Sequence, residues 1–126
     1  MKKRIFLGIS KKSYSLIIRD DLTKQSIKRN RTLNEAENKH YIILVALFDV
    51  LKEIEPNQEA IFYPNDDLIF FEWETEWKKN KEFSNKTKDI DIWKNIIKII
   101  ENKNINLTIK NTDNVLSALG KIKKEI

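Results

Sequence analysis

Glu72-Trp73-Glu74-Thr75-Glu76-Trp77-Lys78-Lys79-Asn80, followed by Asp89-Ile90-Asp91-Ile92-Trp93, is the stretch that decides the fold. Its first part closes a helix read from Asp66 to Trp77, and its second opens a helix read from Ile90 to Ile100, with Ile92, Trp93, Ile96, Ile97 and Ile100 inward. Between them, Lys78, Lys79, Lys81, Lys86 and Lys88 surround Phe83. The rings of Trp73, Trp77 and Trp93 read as core residues anchoring this lysine-rich protrusion more readily than as stacking partners for bases.

Working outward, the first third of the chain reads as three strands, Arg4 to Ile9, Tyr14 to Arg19 and Ser26 to Arg31, with connections short enough for an antiparallel meander. Thr32 or Asn34 then offers an N-cap, with Glu35 and Glu37 in the first helical turn. The helix that follows reaches Ile54. Tyr41, Leu44, Val45, Phe48 and Leu51 form one apolar stripe and Ile43, Leu47, Val50 and Ile54 the next, so this helix is expected to be central and covered on most sides. Pro56 and Asn57 end it, and Ala60 to Tyr63 is a strand that a long helix would deliver parallel to its neighbour. Ile105 to Ile109 is a last strand and Asp113 to Lys124 a last amphipathic helix. The order βββ-α-β-α-α-β-α predicts a mixed α/β (α+β) domain: a five-stranded sheet, three antiparallel strands and then parallel ones, with helices on both faces. No repeat or linker divides residues 1–126, so a single domain is expected.

The 126 residues are 40% hydrophobic and 34% charged, which favours a packed domain over disorder. Cysteine is absent, which excludes disulfides, thiol catalysis, thiolate zinc sites and iron–sulfur clusters. Lys11 and Lys12 interrupt the apolar stretch that begins at Ile5, and no window approaches the roughly 18 apolar residues of a membrane span. A cytoplasmic protein with no export signal and no membrane association is expected. The net charge of +5 is weak evidence for nucleic acid in a chain where Ile, Lys and Asn make up 53 residues, but its distribution is uneven. Residues 1–31 carry +8, residues 32–77 carry −9 and residues 78–126 carry +6, which places basic surfaces beside an acidic one.

The quoted stretch resembles the type 1 ribonuclease H family, whose helix ends in Trp-x-x-x-Trp-Lys-Lys, continues into a basic protrusion, and is followed by a helix opening on Val-Asp-Leu-Trp or Asp-Asp-Leu-Trp. Leu44 to Glu53 is similar to the family's central helix and Glu59-Ala60-Ile61-Phe62 to the strand after it. The resemblance covers essentially the whole chain and implies a ribonuclease H-like fold. In that family, four carboxylates around two magnesium ions cleave the RNA strand of an RNA/DNA hybrid. Divalent ions about 4 Å apart repel one another, and anionic ligands offset that repulsion.

At the corresponding positions the carboxylates are missing. Ile5-Phe6-Leu7-Gly8-Ile9-Ser10 stands where the family has Ile-Phe-Thr-Asp-Gly-Ser, so Gly8 replaces the first Asp. Counting back along the central helix, the family's Glu corresponds to His40, a poor magnesium ligand with no negative charge. Tyr63-Pro64-Asn65-Asp66 puts Asn65 at the third position, and the fourth falls at Ser117. The loop that carries a proton-shuttling His in the family is shortened to Lys110-Asn111-Thr112-Asp113-Asn114. The resemblance thus implies loss of the two-metal reaction, with no catalytic residue and no cofactor. The competing reading is a rearranged metal site built on Glu37, Asp66 and Asp113, with Asp67 nearby, taking Mg2+ or Mn2+.

Substrate-binding regions fare unequally. The basic protrusion survives, which makes Trp77, Lys78, Lys79, Lys81, Lys86 and Lys88, together with Lys11 and Lys12 in the first turn, the candidate nucleic-acid contacts. The family's Thr-Thr-Asn-Asn ahead of the central helix reads Asn34-Glu35-Ala36-Glu37, and two glutamates there repel phosphate. A nuclease-inactive module that binds an RNA/DNA hybrid or other duplex is the first expectation. A scaffold that docks a protein partner, and a ribonuclease H with rearranged metals, are the alternatives.

Overall fold

The computed structural model describes residues 2–35, 37–84 and 86–110; the helix read from Asp113 to Lys124, with Asp113 and Ser117, lies outside the described residues. Five strands form one sheet: β1 (Lys2–Ile9), β2 (Ser13–Asp20), β3 (Ser26–Thr32), β4 (Glu59–Tyr63) and β5 (Asn106–Ile109), in the order β3-β2-β1-β4-β5. The first three pair antiparallel, and β4 runs parallel to both β1 and β5. This is the mixed sheet that the short early connections and the long helix before β4 imply.

Alternation along β1 sets what each face does. Ile5 and Leu7 point into the main core, where register sets Ile18 and Phe62 beside Ile5 and Leu16 beside Leu7. Phe6 points the other way, between Ile17 and Tyr63, and stacks on the Tyr63 ring at 5.0 Å. With Ile61 these residues make a second, smaller apolar cluster. Gly8 follows Phe6 on that second face, with Ser15 opposite.

Helix α1 (Lys39–Glu53) crosses the main face with Ile42, Ile43, Leu44, Ala46, Leu47, Val50 and Leu51 all buried; Tyr41, Val45 and Phe48 of the first predicted stripe are only half-buried, whereas Ile42 and Ala46, outside both stripes, are enclosed. It begins later than the Thr32 or Asn34 cap predicts. Asn38 is the N-cap, its side-chain oxygen accepting the Tyr41 N–H at 2.9 Å, and no acid occupies the first turn. The reason is tertiary. The Leu33 N–H donates to the Lys12 carbonyl at 2.6 Å and the Glu37 N–H to that of Lys11 at 3.1 Å, which ties the segment to the β1–β2 turn and leaves Glu35 and Glu37 exposed outside the helix. At its other end, the Lys103 ammonium donates to the carbonyls of Leu51, Lys52 and Ile54 at 3.0, 2.7 and 2.9 Å, filling the acceptors that a helix C-terminus leaves open.

Asp66 caps the short helix α2 (Asp67–Phe71) through the Ile69 N–H at 3.0 Å. The predicted helix to Trp77 does not continue as an α-helix: Glu72–Lys78 winds as a π-helix, a wider turn usually found as a single insertion. Helix α3 (Ile90–Lys103) packs on α1 with Trp93, Ile96 and Ile97 buried; Ile92 and Ile100 are only partly covered. Trp73, Phe83 and Trp93 join the same core, so the rings anchor the protrusion as the sequence suggests.

Candidate nucleic-acid interface

His40 occupies the second residue of α1 and is 5% exposed, too enclosed to be left without partners. Its Nε2 lies 2.6 Å from Glu72 Oε1 and its Nδ1 2.7 Å from Asp89 Oδ2. The Trp93 indole N–H donates to the same Glu72 oxygen at 3.2 Å, and Glu72 is itself only 2% exposed. Burial disfavours the imidazolium, but hydrogen bonds and charge from Glu72 and Asp89 override this and raise the His40 pKa above its ordinary 6.5. Asp89 precedes α3 in the left-handed region at φ 55°, a conformation Asp tolerates, and spends its side chain on His40 instead of capping the helix.

The other described positions that the resemblance singles out are separate from this network. Gly8 lies on the second face of the sheet, where a Cβ would meet no heavy atom within 4 Å. Asn65 is exposed at φ 51°. Asp66 caps α2 and sits 3.5 Å from the Lys39 ammonium, while Glu37 is exposed in the segment before α1. Among the described residues, no group of three His, Asp or Glu could hold a metal ion. Sequence reasoning missed Glu72 and Asp89. The available signal was a lone histidine opening an otherwise apolar helix, which demands a buried polar partner.

The protrusion is held from within. Trp77 stacks on Phe83 at 5.6 Å, Phe83 on Trp93 at 5.0 Å, and Trp93 on Trp73 at 6.2 Å. The Lys81 ammonium lies 5.6 Å over the Trp77 ring, so that ring is already engaged and half-buried. Glu76 organises the loop beyond, accepting the Ser84 N–H at 3.1 Å and the Thr87 hydroxyl at 3.0 and 3.1 Å. Lys78 sits 3.7 Å from Glu74. Lys79, Lys86 and Lys88 are exposed and make no ion pair among the described residues.

The basic strands are less available than their charge suggests. Lys3 pairs with Asp20 at 2.6 Å, Arg4 with Asp21 at 2.9 Å and Arg29 with Glu53 at 2.9 Å. The bond from Lys3, with backbone N–H groups of Thr23 and Leu22, lowers the Asp20 pKa to about 2. Arg31 donates to Asp49 at 2.6 Å, and the Tyr14 hydroxyl donates to the same carboxylate; burial first and that bond second push the phenol pKa up. Lys11 and Lys12 remain exposed in the β1–β2 turn.

No family model matches the chain, and no curated relative matches it significantly. Solved structures do. LC11-RNase H1 in complex with an RNA/DNA hybrid superposes with a TM-score of 0.56 at 14% identity, covering 88% of this chain and 83% of that one. An N-terminal RNase H domain from Mycobacterium tuberculosis gives 0.58 at 10% identity, covering 92% of each. The foamy viral protease-reverse transcriptase in complex with dsDNA gives 0.55 at 18% identity, covering 97% of this chain and 87% of that one. With the β3-β2-β1-β4-β5 sheet and α1 packed across it, these similarities establish that the chain has a ribonuclease H-like fold.

Proposed function

We propose that the chain is a nuclease-inactive ribonuclease H-like module that binds nucleic acid through the protrusion between Lys78 and Lys88. The observation that carries this reading is the contrast between two regions of one frame. At the position the resemblance assigns to the family's second ligand, both nitrogens of His40 are committed to carboxylates, whereas Lys79, Lys86 and Lys88 are exposed beside a stacked aromatic base. Phosphate contacts need cations at fixed spacing and no reacting group, so binding survives where hydrolysis does not. Neighbours of the same fold solved with an RNA/DNA hybrid and with dsDNA support nucleic acid as the partner class.

Two assays on one preparation test it. Labelled RNA/DNA hybrid should remain intact with Mg2+ or Mn2+ at high protein concentration, while the same hybrid or a duplex is retarded in a gel shift. Cleavage abolished by chelator would return the rearranged metal site. Absence of retardation, with a protein partner captured in nuclease-treated extracts, would return the scaffold reading.

A further inference from the structure

Leu68 and Phe71, one turn apart on α2, are 46% and 51% exposed, although the core beside them is closed. They line an open cleft of about 220 Å³ whose other walls carry Lys86 and Lys88 and whose carboxylates are Glu72 and Glu76. Both carboxylates are engaged: Glu72 with His40 and the Trp93 indole, Glu76 with Ser84 and Thr87. The two lysines have no such partner among the described residues. The cleft therefore offers an exposed ring beside available cations, a pairing that Trp77, stacked on Phe83 under Lys81, does not provide.

A flat apolar surface next to free positive charge suits a nucleobase with its phosphates. The volume lies below the roughly 300–1,000 Å³ of small-molecule pockets, on the scale of a single ring system. Bases stacked within a duplex present their faces to the neighbouring pairs, so an exposed ring lining a cleft can engage only a base that has left the stack.

We propose that this cleft takes one unpaired base of a single strand or overhang against Phe71, with the flanking phosphates at Lys86 and Lys88. The proposal rests on the nucleic-acid reading above and narrows it to a strand with exposed bases.

Fluorescence anisotropy with labelled oligothymidylate, an abasic strand of equal length and a blunt duplex tests it on wild type, Phe71→Ala, Phe71→Tyr and the double variant Lys86→Ser/Lys88→Ser. Phe71 is exposed, so its variants should keep the wild-type melting temperature. Phe71→Ala should weaken oligothymidylate binding roughly 5- to 100-fold, leave the abasic strand unchanged, and be rescued by Phe71→Tyr. The lysine variant should weaken both strands. Equal affinity of wild type and Phe71→Ala for oligothymidylate, with duplex binding intact, would overturn the cleft alone and leave the apolar patch to a protein partner. Failure of wild type to bind any of the three probes would overturn the nucleic-acid reading and this proposal together.

Discussion

His40 Nε2 and Glu72 Oε1 lie 2.6 Å apart between two side chains that are almost fully buried, 32 residues distant in the chain. With Asp89 on the other ring nitrogen, only the doubly protonated imidazolium can donate to both carboxylates. The network is a hydrogen-bonded triad joining α1, the π-helix and the start of α3 across the base of the protrusion.

A pH dependence follows. The folded-state pKa of His40 lies above its ordinary 6.5, so its contribution to stability is fully present below that value and is lost as pH rises through the higher folded one. Urea midpoints measured from about pH 6 to about pH 9 should fall for wild type relative to His40→Gln across that interval. Parallel curves would show that folding does not raise the His40 pKa. At the acid end of the interval His40→Gln should be less stable by about 3 kcal/mol, the cost of leaving buried charges without their partner.

Placing carboxylates at positions 8 and 65 should not confer cleavage. Gly8 has room for a side chain, and Asn65 sits at a φ that Asp also adopts, so Gly8→Asp/Asn65→Asp should fold within about 1 kcal/mol of wild type. Incubation with labelled hybrid and Mg2+ should still yield no product, because His40 keeps its carboxylate partners. Detectable product dependent on both substitutions would refute this account of the second position.

The protrusion should show its charge in salt dependence. Lys78 is shared with Glu74 and Lys81 with the Trp77 ring, leaving Lys79 the least engaged of the first three lysines. Replacing Lys78, Lys79 and Lys81 together should weaken duplex binding and flatten the plot of log affinity against log salt by about 0.7 to 0.9 for each phosphate that is no longer neutralised. Among the single variants, Lys79→Ser should have the largest effect. An unchanged slope in the triple variant would place the interface elsewhere.

Lys103→Met should destabilise the fold by about 1 to 3 kcal/mol, since it strips a charged donor from three carbonyls at the end of α1 while keeping the aliphatic stem. Thermal melts read this directly. A melting temperature within error of wild type would mean that water replaces the ammonium without loss.

Much of this architecture is legible in the residues, and the exceptions share a cause. β1, β2 and α1 declare themselves through local pattern, and Trp73 and Trp93 through their bulk. The start of α1 does not, because Thr32, Asn34 and Asn38 are all competent caps and the choice among them is made by bonds to the distant backbone of Lys11 and Lys12. Nor does the π-helix, whose composition equally suits an α-helix. At the candidate site, the uncharged residues Gly8 and Asn65 can be read directly, but the partners of His40 lie 32 and 49 residues away. The charge of the first strands is countable too, while its cancellation by Asp20, Asp21, Asp49 and Glu53 depends on which strands and helix become neighbours.

The His40 triad also constrains which sequences can be neighbours of this one. A glutamate at position 40 would stand as a third carboxylate against Glu72 and Asp89 at hydrogen-bonding range, so that single exchange is unfavourable. Exchange becomes easier once Glu72 and Asp89 have given up their charge. The order of substitutions is therefore shaped by the fold: a glutamate at position 40 is better accommodated after changes in the π-helix and at the start of α3, so the three present residues are coupled and exchange most easily as a set.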